Sequence, residues 1–497
     1  MSEVKTESGK VEGTEKLSGL KQKSVRGGKV MMGSQGITVA VQLVSTVILA
    51  RILTPEDYGI FAMVTAITAF AGLFRDLGLS SAAIQKKGLT TGQQSNLFWL
   101  NVLMGAFLTV LIAGCAPLVA RFYGRPDLVN VTLVLSLNFI IISLGTQHGA
   151  MLVRRMQFGR SSAAMIAGAL ATLGVSVFCG LQGYAYWSLV WGTLAGASVT
   201  TLFLFVFSPF RPGLPSRGHG MRELVGFGAN VTAFNFVNYF ARNLDNILIG
   251  KFVGVDALGM YVRAYQLMMF PIVNLRGPIQ SVAFPALSRL QNEPDDFRVF
   301  YRKIIAVLSF VTMPMSVYLF MESESIIALV LGGQWGGVSP IFSALAAVAF
   351  IQPSLSLIGL VLLSLNHSRR YLHFGFYNSI AVVTGFVIGL RWGAVGVAAS
   401  YAVVAYLTAY PFLRWAFKGT PVRPNDLMES IFRPAASSLL SAVCLTLIFG
   451  DLFVYGLVLT LVIKLLMYII LYFIVYVLLP GGRSELLAHV SMSGLRR

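Results

Sequence analysis

Charge is what this sequence has least of: only 12% of its 497 residues are Asp, Glu, Lys or Arg, where soluble domains carry about 25%. Cysteine is rarer still. Cys115, Cys179 and Cys444 lie far apart within apolar runs, so they form neither a disulfide framework nor a metal-ligand spacing. Acid is scarce even here, with 20 Asp and Glu against 38 Lys and Arg, for a net charge of +18. The five histidines (His148, His219, His367, His373 and His489) read as loop or loop-adjacent residues without partners at metal spacing. There is no Walker A phosphate loop, no nucleophile elbow and no carboxylate pair placed for glycosyl chemistry. These absences speak against an ATPase, a metalloenzyme or a hydrolase. The chain reads as no enzyme in the bond-making sense, with no cofactor and no metal.

What the sequence does have is apolar length. It is 56% hydrophobic with a mean hydropathy of +0.74, and runs of about 20 apolar residues, enough to cross a bilayer, recur along it. The expected fold is an all-α polytopic membrane protein. Fourteen transmembrane helices are expected at 34–50, 58–76, 97–120, 128–148, 162–182, 185–209, 224–250, 261–288, 301–320, 339–363, 372–390, 393–413, 432–449 and 452–479. Residues 1–33 are polar and Lys/Glu-rich with no apolar signal-peptide core, and are expected to be a disordered tail.

The basic excess might suggest nucleic acid, but its distribution points elsewhere. With these spans, 29 Lys and Arg fall on one side of the membrane and five (Arg51, Arg121, Arg125, Lys251 and Arg391) on the other. By the positive-inside rule, both termini are then cytoplasmic. The charge encodes topology, and no nucleic-acid partner is expected.

The chain also repeats itself. "VILARILTPEDYGIF" (47–61) lies over "ILIGKFVGVDALGMY" (247–261) at an offset of 200 residues, setting Arg51 over Lys251, Glu56 over Asp256 and Gly59 over Gly259. "LVRRMQFGRSSAAM" (152–165) echoes "HSRRYLHFGFYNSI" (367–380), and "YWSLVWGTLAGA" (186–197) more weakly echoes "RWGAVGVAASYA" (391–402). The reading is two pseudo-symmetric six-helix lobes, 34–209 and 224–417, joined by a cytoplasmic loop at 210–223. A second loop at 418–431 leads to two accessory helices at 432–479, and a cytoplasmic tail follows at 480–497. Two parallel lobes with a cavity between them are a transporter layout.

Polar residues inside the spans nominate the site. Asn235, Asn238, Arg242, Asp245 and Asn246 fall within an arc of about 100° on span 7. An intramembrane charge is a functional hypothesis by default, which would turn this stripe toward the cavity. The alternative is that Arg242 and Asp245, at i and i+3, neutralise each other while the asparagines join helices. Span 8 adds Arg263, Arg276 and three prolines, Pro271, Pro278 and Pro285, which make it either a hinge or a static kink. Arg75 and Asp76 read as the end of span 2, near the cytoplasmic surface, where Arg75 is either a substrate contact or a topology anchor. Lys464 lies mid-span in the last helix and receives no role. Cations outnumber acids in spans 7 and 8, which suits an anionic substrate held by arginine. Asp245 and Asp76 are the protonatable candidates for ion coupling.

"ARILTPEDYGIFAMV", "DLGLSSAAIQKK" (76–87), "DNILIGKFVG" (245–254), "YVRAYQLMMFPIVNLRGPIQSVAFPALSRLQ" (261–291) and "GGQWGGVSPIF" (332–342) resemble the polysaccharide transporter, or Wzx-type, flippases, over about residues 25–480. The likeness is greatest to the branch serving exopolysaccharide and colanic-acid-like repeat units. It implies the multidrug/oligosaccharidyl-lipid/polysaccharide superfamily fold. It further implies flipping of an undecaprenyl-diphosphate-linked oligosaccharide across the bacterial inner membrane, with periplasmic polymerase and glycosyltransferases as partners. Arg242, Arg263, Arg276 and Arg75 are the positions that fit cationic residues receiving the diphosphate. A drug/cation antiporter of the same superfamily and a non-transporting assembly scaffold are the rival readings.

Overall fold

Two helices of the first unit start where a side chain takes up backbone N–H groups that have no partner in the first turn. Thr54 does so for α2 (Pro55–Gly72): its Oγ1 accepts from the Asp57 N–H, and the Asp57 carboxylate accepts from the Thr54 N–H at 2.8 Å. Thr90 and Gln93 repeat this capping box at α4 (Thr91–Gly114). The computed structural model describes residues 31, 33–76, 78–85, 88–216, 243–449 and 456–483, and among these there is no strand.

The chain divides into two compact units, Met1–Tyr239 and Phe240–Arg497. The first contains α1 (Gly33–Ile52), α2, α3 (Leu79–Gln85), α4, α5 (Ala116–Tyr123), α6 (Leu128–Arg154), α7 (Phe158–Leu181) and α8 (Trp187–Phe207). The second contains α9 (described over 243–252), α10 (Val255–Arg289), α11 (Pro294–Met321), α12 (Ser323–Val330), α13 (Val338–Leu355), α14 (Ile358–Ser364), α15 (Ser368–Gly389), α16 (Gly393–Ala416), α17 (Pro424–Phe449) and α18 (Leu457–Leu478). Ten helical stretches among the described residues are long and apolar enough to cross a membrane. One of them, Ser368–Ala416, holds both α15 and α16, while α2, α9 and α10 do not number among the ten.

In lipid there is little hydrophobic drive between helices, so close packing through small residues takes its place. On α7 and α8 these residues recur every fourth position: Gly168, Thr172 and Ser176 against Gly192, Gly196 and Thr200. A Cβ on Gly168 would sit 2.8 Å from the Gly196 carbonyl oxygen, and one on Gly192 would sit 2.9 Å from that of Thr172. In the second unit, Gly385 and Gly389 of α15 meet Ser400 and Gly396 of α16 in the same manner. Arginines beside these helices cap carbonyls: Arg154 donates to Ala83 O, Arg160 to Phe207 O, and Arg370 to Ala416 O and Lys418 O.

After α8 the chain is strapped back onto the start of α4. Asn96 exchanges two hydrogen bonds with the Ser216 backbone, Trp99 Nε1 donates to Gly213 O, and Ser95 Oγ accepts from the Gly213 N–H. At the other end of this unit Arg125 bridges Asp127 and Glu56 at 3.0 and 2.8 Å. Hydrogen bonding to Asp127 first, and then to Glu56, raises its pKa above the ordinary arginine value.

In the second unit α17 and α18 pack on α11. The Tyr318 hydroxyl donates to Leu461 O, Tyr468 to Ser438 O and Tyr472 to Phe310 O. Arg298 grips the fully buried Asp426 in a two-pronged contact of 2.6–2.9 Å. Lys464, without a role in the sequence reading, donates to Glu322 at 2.9 Å, with both side chains largely buried.

Candidate functional site

Span 2 does not run as one helix to its end. α2 stops at Gly72, residues 73–76 turn, Gly78 takes φ +66, and α3 begins at Leu79. The left-handed backbone at 78 requires a residue without a Cβ clash. Asp76 re-starts the helix, accepting from the Ser80 N–H at 3.1 Å and from its hydroxyl at 2.6 Å. Arg75 and Asp76 therefore lie at this break, past the last residue of α2, and both are half-buried.

Two clusters bracket the depth of this break. Ala71 and Phe74 pack with Met104, Leu108, Ile112 and Phe139, while Leu79 and Ala83 pack with Leu97, Phe98, Ala150 and Met151. Arg75 is thus level with positions near 101–105, the middle of α4, and with positions near 143–147 of α6. The helices α4 and α6 run antiparallel here. Phe98 touches His148, a Cβ on Gly105 would collide with Ser143, and the Thr109 hydroxyl donates to Ser136 O. That register sets Asn101 opposite the Ser143–Gln147 turn.

Asn101, Ser143, Gln147 and His148 are all fully buried. Their side-chain polar atoms have no hydrogen-bond partner, and neither does the buried Nε of Arg75. Sequence reasoning missed this polar level. His148 was assigned to a loop edge, yet it lies within α6 between the rings of Phe98, Phe205 and Phe210 at 5.8, 4.9 and 5.3 Å. The available signal was a run of amides and an imidazole, Asn101 and "TQH" at 146–148, inside spans that are otherwise apolar.

In the second unit Asp245 is 5% exposed and accepts a 2.8 Å hydrogen bond from the Tyr261 hydroxyl and another from the Asn246 N–H. Tyr261 is fully buried on α10 and stacks on Tyr265. Arg263, 7% exposed, donates from Nη1 to Gln266 at 2.6 Å. Gln352 of α13 donates to Tyr401 of α16, so polar contacts continue through the helices packed around α10. Of the span 7 stripe, Asn235, Asn238 and Arg242 lie outside the described residues. Asn246 is described, and Asp245 meets span 8. Arg276 falls on α10, though its side chain, like the Pro278 ring, lies outside the described part. The α10 backbone is helical across Pro271, Pro278 and Pro285 alike.

A family model described as "Polysaccharide biosynthesis protein" matches residues 48–340. The chain is 27% identical over 392 residues to the lipopolysaccharide biosynthesis protein WzxC of Escherichia coli (strain K12), covering 78% of this chain and 79% of that protein. It is 28% identical over 424 residues to the teichuronic acid biosynthesis protein TuaB of Bacillus subtilis (strain 168), covering 82% and 86%. Among solved structures, the inward closed conformation of the lipid II flippase MurJ superposes with a TM-score of 0.73 at 16% identity, covering 89% of this chain and 98% of that one. At that identity the likeness is one of fold.

Proposed function

We propose, on the premise that the chain belongs to the polysaccharide biosynthesis protein family, within the flippases of the multidrug/oligosaccharidyl-lipid/polysaccharide superfamily, that it flips undecaprenyl-diphosphate-linked oligosaccharide repeat units. The direction is from the cytoplasmic to the periplasmic leaflet of the bacterial inner membrane. Fourteen spans in two six-helix lobes plus an accessory pair, with both termini cytoplasmic, complete the reading. The observation that carries it is Arg75. A guanidinium sits at a helix break level with the middle of α4, its neighbour Asp76 is engaged by Ser80, and buried amides share its level. An anionic diphosphate head group complements that arrangement.

Arg242, Arg263 and Arg276 are the second unit's candidates for diphosphate contact, with Asn235, Asn238 and Asn246 as candidate sugar contacts. The head group is too polar for the bilayer core and crosses along these side chains, while the prenyl tail stays in lipid. Release must follow capture, so several moderate contacts serve better than one tight clamp. The prolines of α10 supply compliance as access alternates. Asp245 and Asp76 are the residues assigned to ion coupling. Each carboxylate is held by a hydroxyl donor, Tyr261 or Ser80, and protonation would weaken that charge-assisted bond.

The test is complementation of a deletion strain at matched protein levels with wild type, Arg75→Ala, Arg242→Ala and Arg276→Ala. Polymer output should fall while complete lipid-linked repeat units accumulate on the cytoplasmic face. Normal polymer from every variant would overturn the role given to these arginines.

A further inference from the structure

The charges of α17 all lie in its first ten residues, "PNDLMESIFR", and from Pro434 to Phe449 the helix carries none. The boundary between these halves opens into a cleft of about 530 Å³, lined by Arg302, Asn425, Met428, Glu429, Phe432 and Arg433. Five of the six are on α17 at positions i, i+3, i+4, i+7 and i+8, one face of the helix. Arg302 enters from α11, bonded to Glu429 at 2.8 Å and 3.8 Å from Asp426. Arg433 donates through Nε to Pro480 O. Along this face Asn425 and Glu429 stand at the polar end, and Phe432, 66% exposed, stands at the apolar end.

We propose that this cleft binds a membrane phospholipid whose head group carries both a phosphate and a primary ammonium, that is, phosphatidylethanolamine. Two guanidiniums and one carboxylate beside an exposed aromatic ring complement that head group in charge. The phosphate diester takes N–H donors from Arg302, since a guanidinium has five and the contacts of Arg302 to Glu429 and Asp426 engage only some of them, and Arg433, held by Pro480 O, adds its positive charge beside it. The ammonium donates to Glu429, whose carboxylate has room for more than one donor. Met428 and Phe432 seat the start of an acyl chain where aromatic side chains favour the interface. Phosphatidylglycerol would meet the same arginines and offer Glu429 hydroxyl donors, but it has no positive charge for that carboxylate. A choline head group has no N–H to give that carboxylate. Binding needs no transport, so this site stands or falls apart from the flipping reading.

The experiment is lipid retention by the purified full-length protein, read by native mass spectrometry after incubation with phosphatidylethanolamine, phosphatidylcholine and phosphatidylglycerol at equal mole fractions. Wild type should retain the ethanolamine lipid about tenfold over either other, a difference near 1.4 kcal/mol. Glu429→Gln should remove the preference over phosphatidylglycerol, and Arg433→Gln should lower retention of all three. Glu429 and Phe432 are exposed, so Glu429→Gln and Phe432→Ser keep the test valid if Arg302→Gln, at a helix junction, fails to fold. Phe432→Ser should weaken lipid retention. Equal retention of the three lipids, or an unchanged preference in Glu429→Gln, overturns the assignment. Full displacement by soluble phosphoethanolamine would overturn it too, because the ligand would then be the free head group.

Discussion

The two units treat their buried polar side chains in opposite ways. In the second, Asp245 meets Tyr261, Glu322 meets Lys464, Arg298 meets Asp426, and Gln352 meets Tyr401, although among the described residues the hydroxyls of Tyr301, Ser437 and Ser441 are buried without a partner. In the first, Arg75 Nε, Asn101, Ser143, Gln147 and His148 lie at neighbouring levels with no hydrogen bond to satisfy them. A buried polar group without a partner is unfavourable by about 1–3 kcal/mol. Paired groups answer to stability. An unpaired cluster concentrated at one level, beside a helix break, answers to something the folded chain alone does not supply. The difference separates pairs that hold helices together, such as Glu322–Lys464 and Arg298–Asp426, from a polar level in the first unit that is the candidate for work during transport; of the second unit's pairs, Asp245–Tyr261 alone carries a proposed transport role.

Breaking a pair should give the largest effect. Glu322 and Lys464 join α18 to the junction of α11 and α12, with side chains 9% and 17% exposed. Lys464→Met leaves a buried carboxylate alone, and we expect a loss of about 3–5 kcal/mol. The double variant Lys464→Met/Glu322→Leu should recover most of it, because two well-packed apolar side chains replace a desolvated pair. Thermal unfolding in detergent checks both. If the single variant matches wild type, the tyrosine–carbonyl bonds from Tyr318, Tyr468 and Tyr472 hold α18 by themselves.

That pair also marks a boundary of what the sequence could reveal. Apolar runs made the membrane class and the all-helical fold legible. The 200-residue echo sets 47–61 over 247–261, and in each segment one helix ends and the next begins, one corner capped by Thr54 and the other turning through Gly254 at φ +125. Lys464 and Glu322 are 142 residues apart in sequence, and no local pattern joins such positions. The break in span 2 was missed because hydropathy is blind to backbone dihedral. Its signal was turn chemistry, Asp76, Gly78 and Ser80 within five residues, in a segment read only for apolar length. His148 was placed at a loop edge because imidazole in an apolar helix is unexpected until three aromatic rings are seen around it.

The break itself sharpens the comparison between the units. Carried forward, the 200-residue offset sets Gly78 over Pro278, yet the glycine interrupts its helix and the proline does not. Gly78→Ala should destabilise by about 1–2 kcal/mol, because an L side chain resists φ +66. Pro278→Ala should be neutral or stabilising, since it restores a donor for the carbonyl of residue 274 within a continuous helix. Paired denaturation curves would show opposite signs at one position of the repeat. Equal signs would mean that the two spans do not occupy corresponding places.

The smallest expected change in stability is at the unpaired level. Gln147→Leu and Asn101→Leu each exchange a fully buried amide without hydrogen bonds for an apolar side chain of similar volume. Such exchanges remove a desolvation penalty and no bond, so unfolding should shift by less than about 1 kcal/mol, or rise. If the amides serve the polar head group as Arg75 is proposed to do, polymer output in the complemented deletion strain should nonetheless drop, with lipid-linked repeat units accumulating. A merely structural amide would behave the other way, losing stability when its bond is removed and leaving transport intact wherever protein levels are matched. Measuring both quantities on the same preparations separates the two outcomes, because stability and flux are expected to move independently at this polar level and together at the Glu322–Lys464 pair.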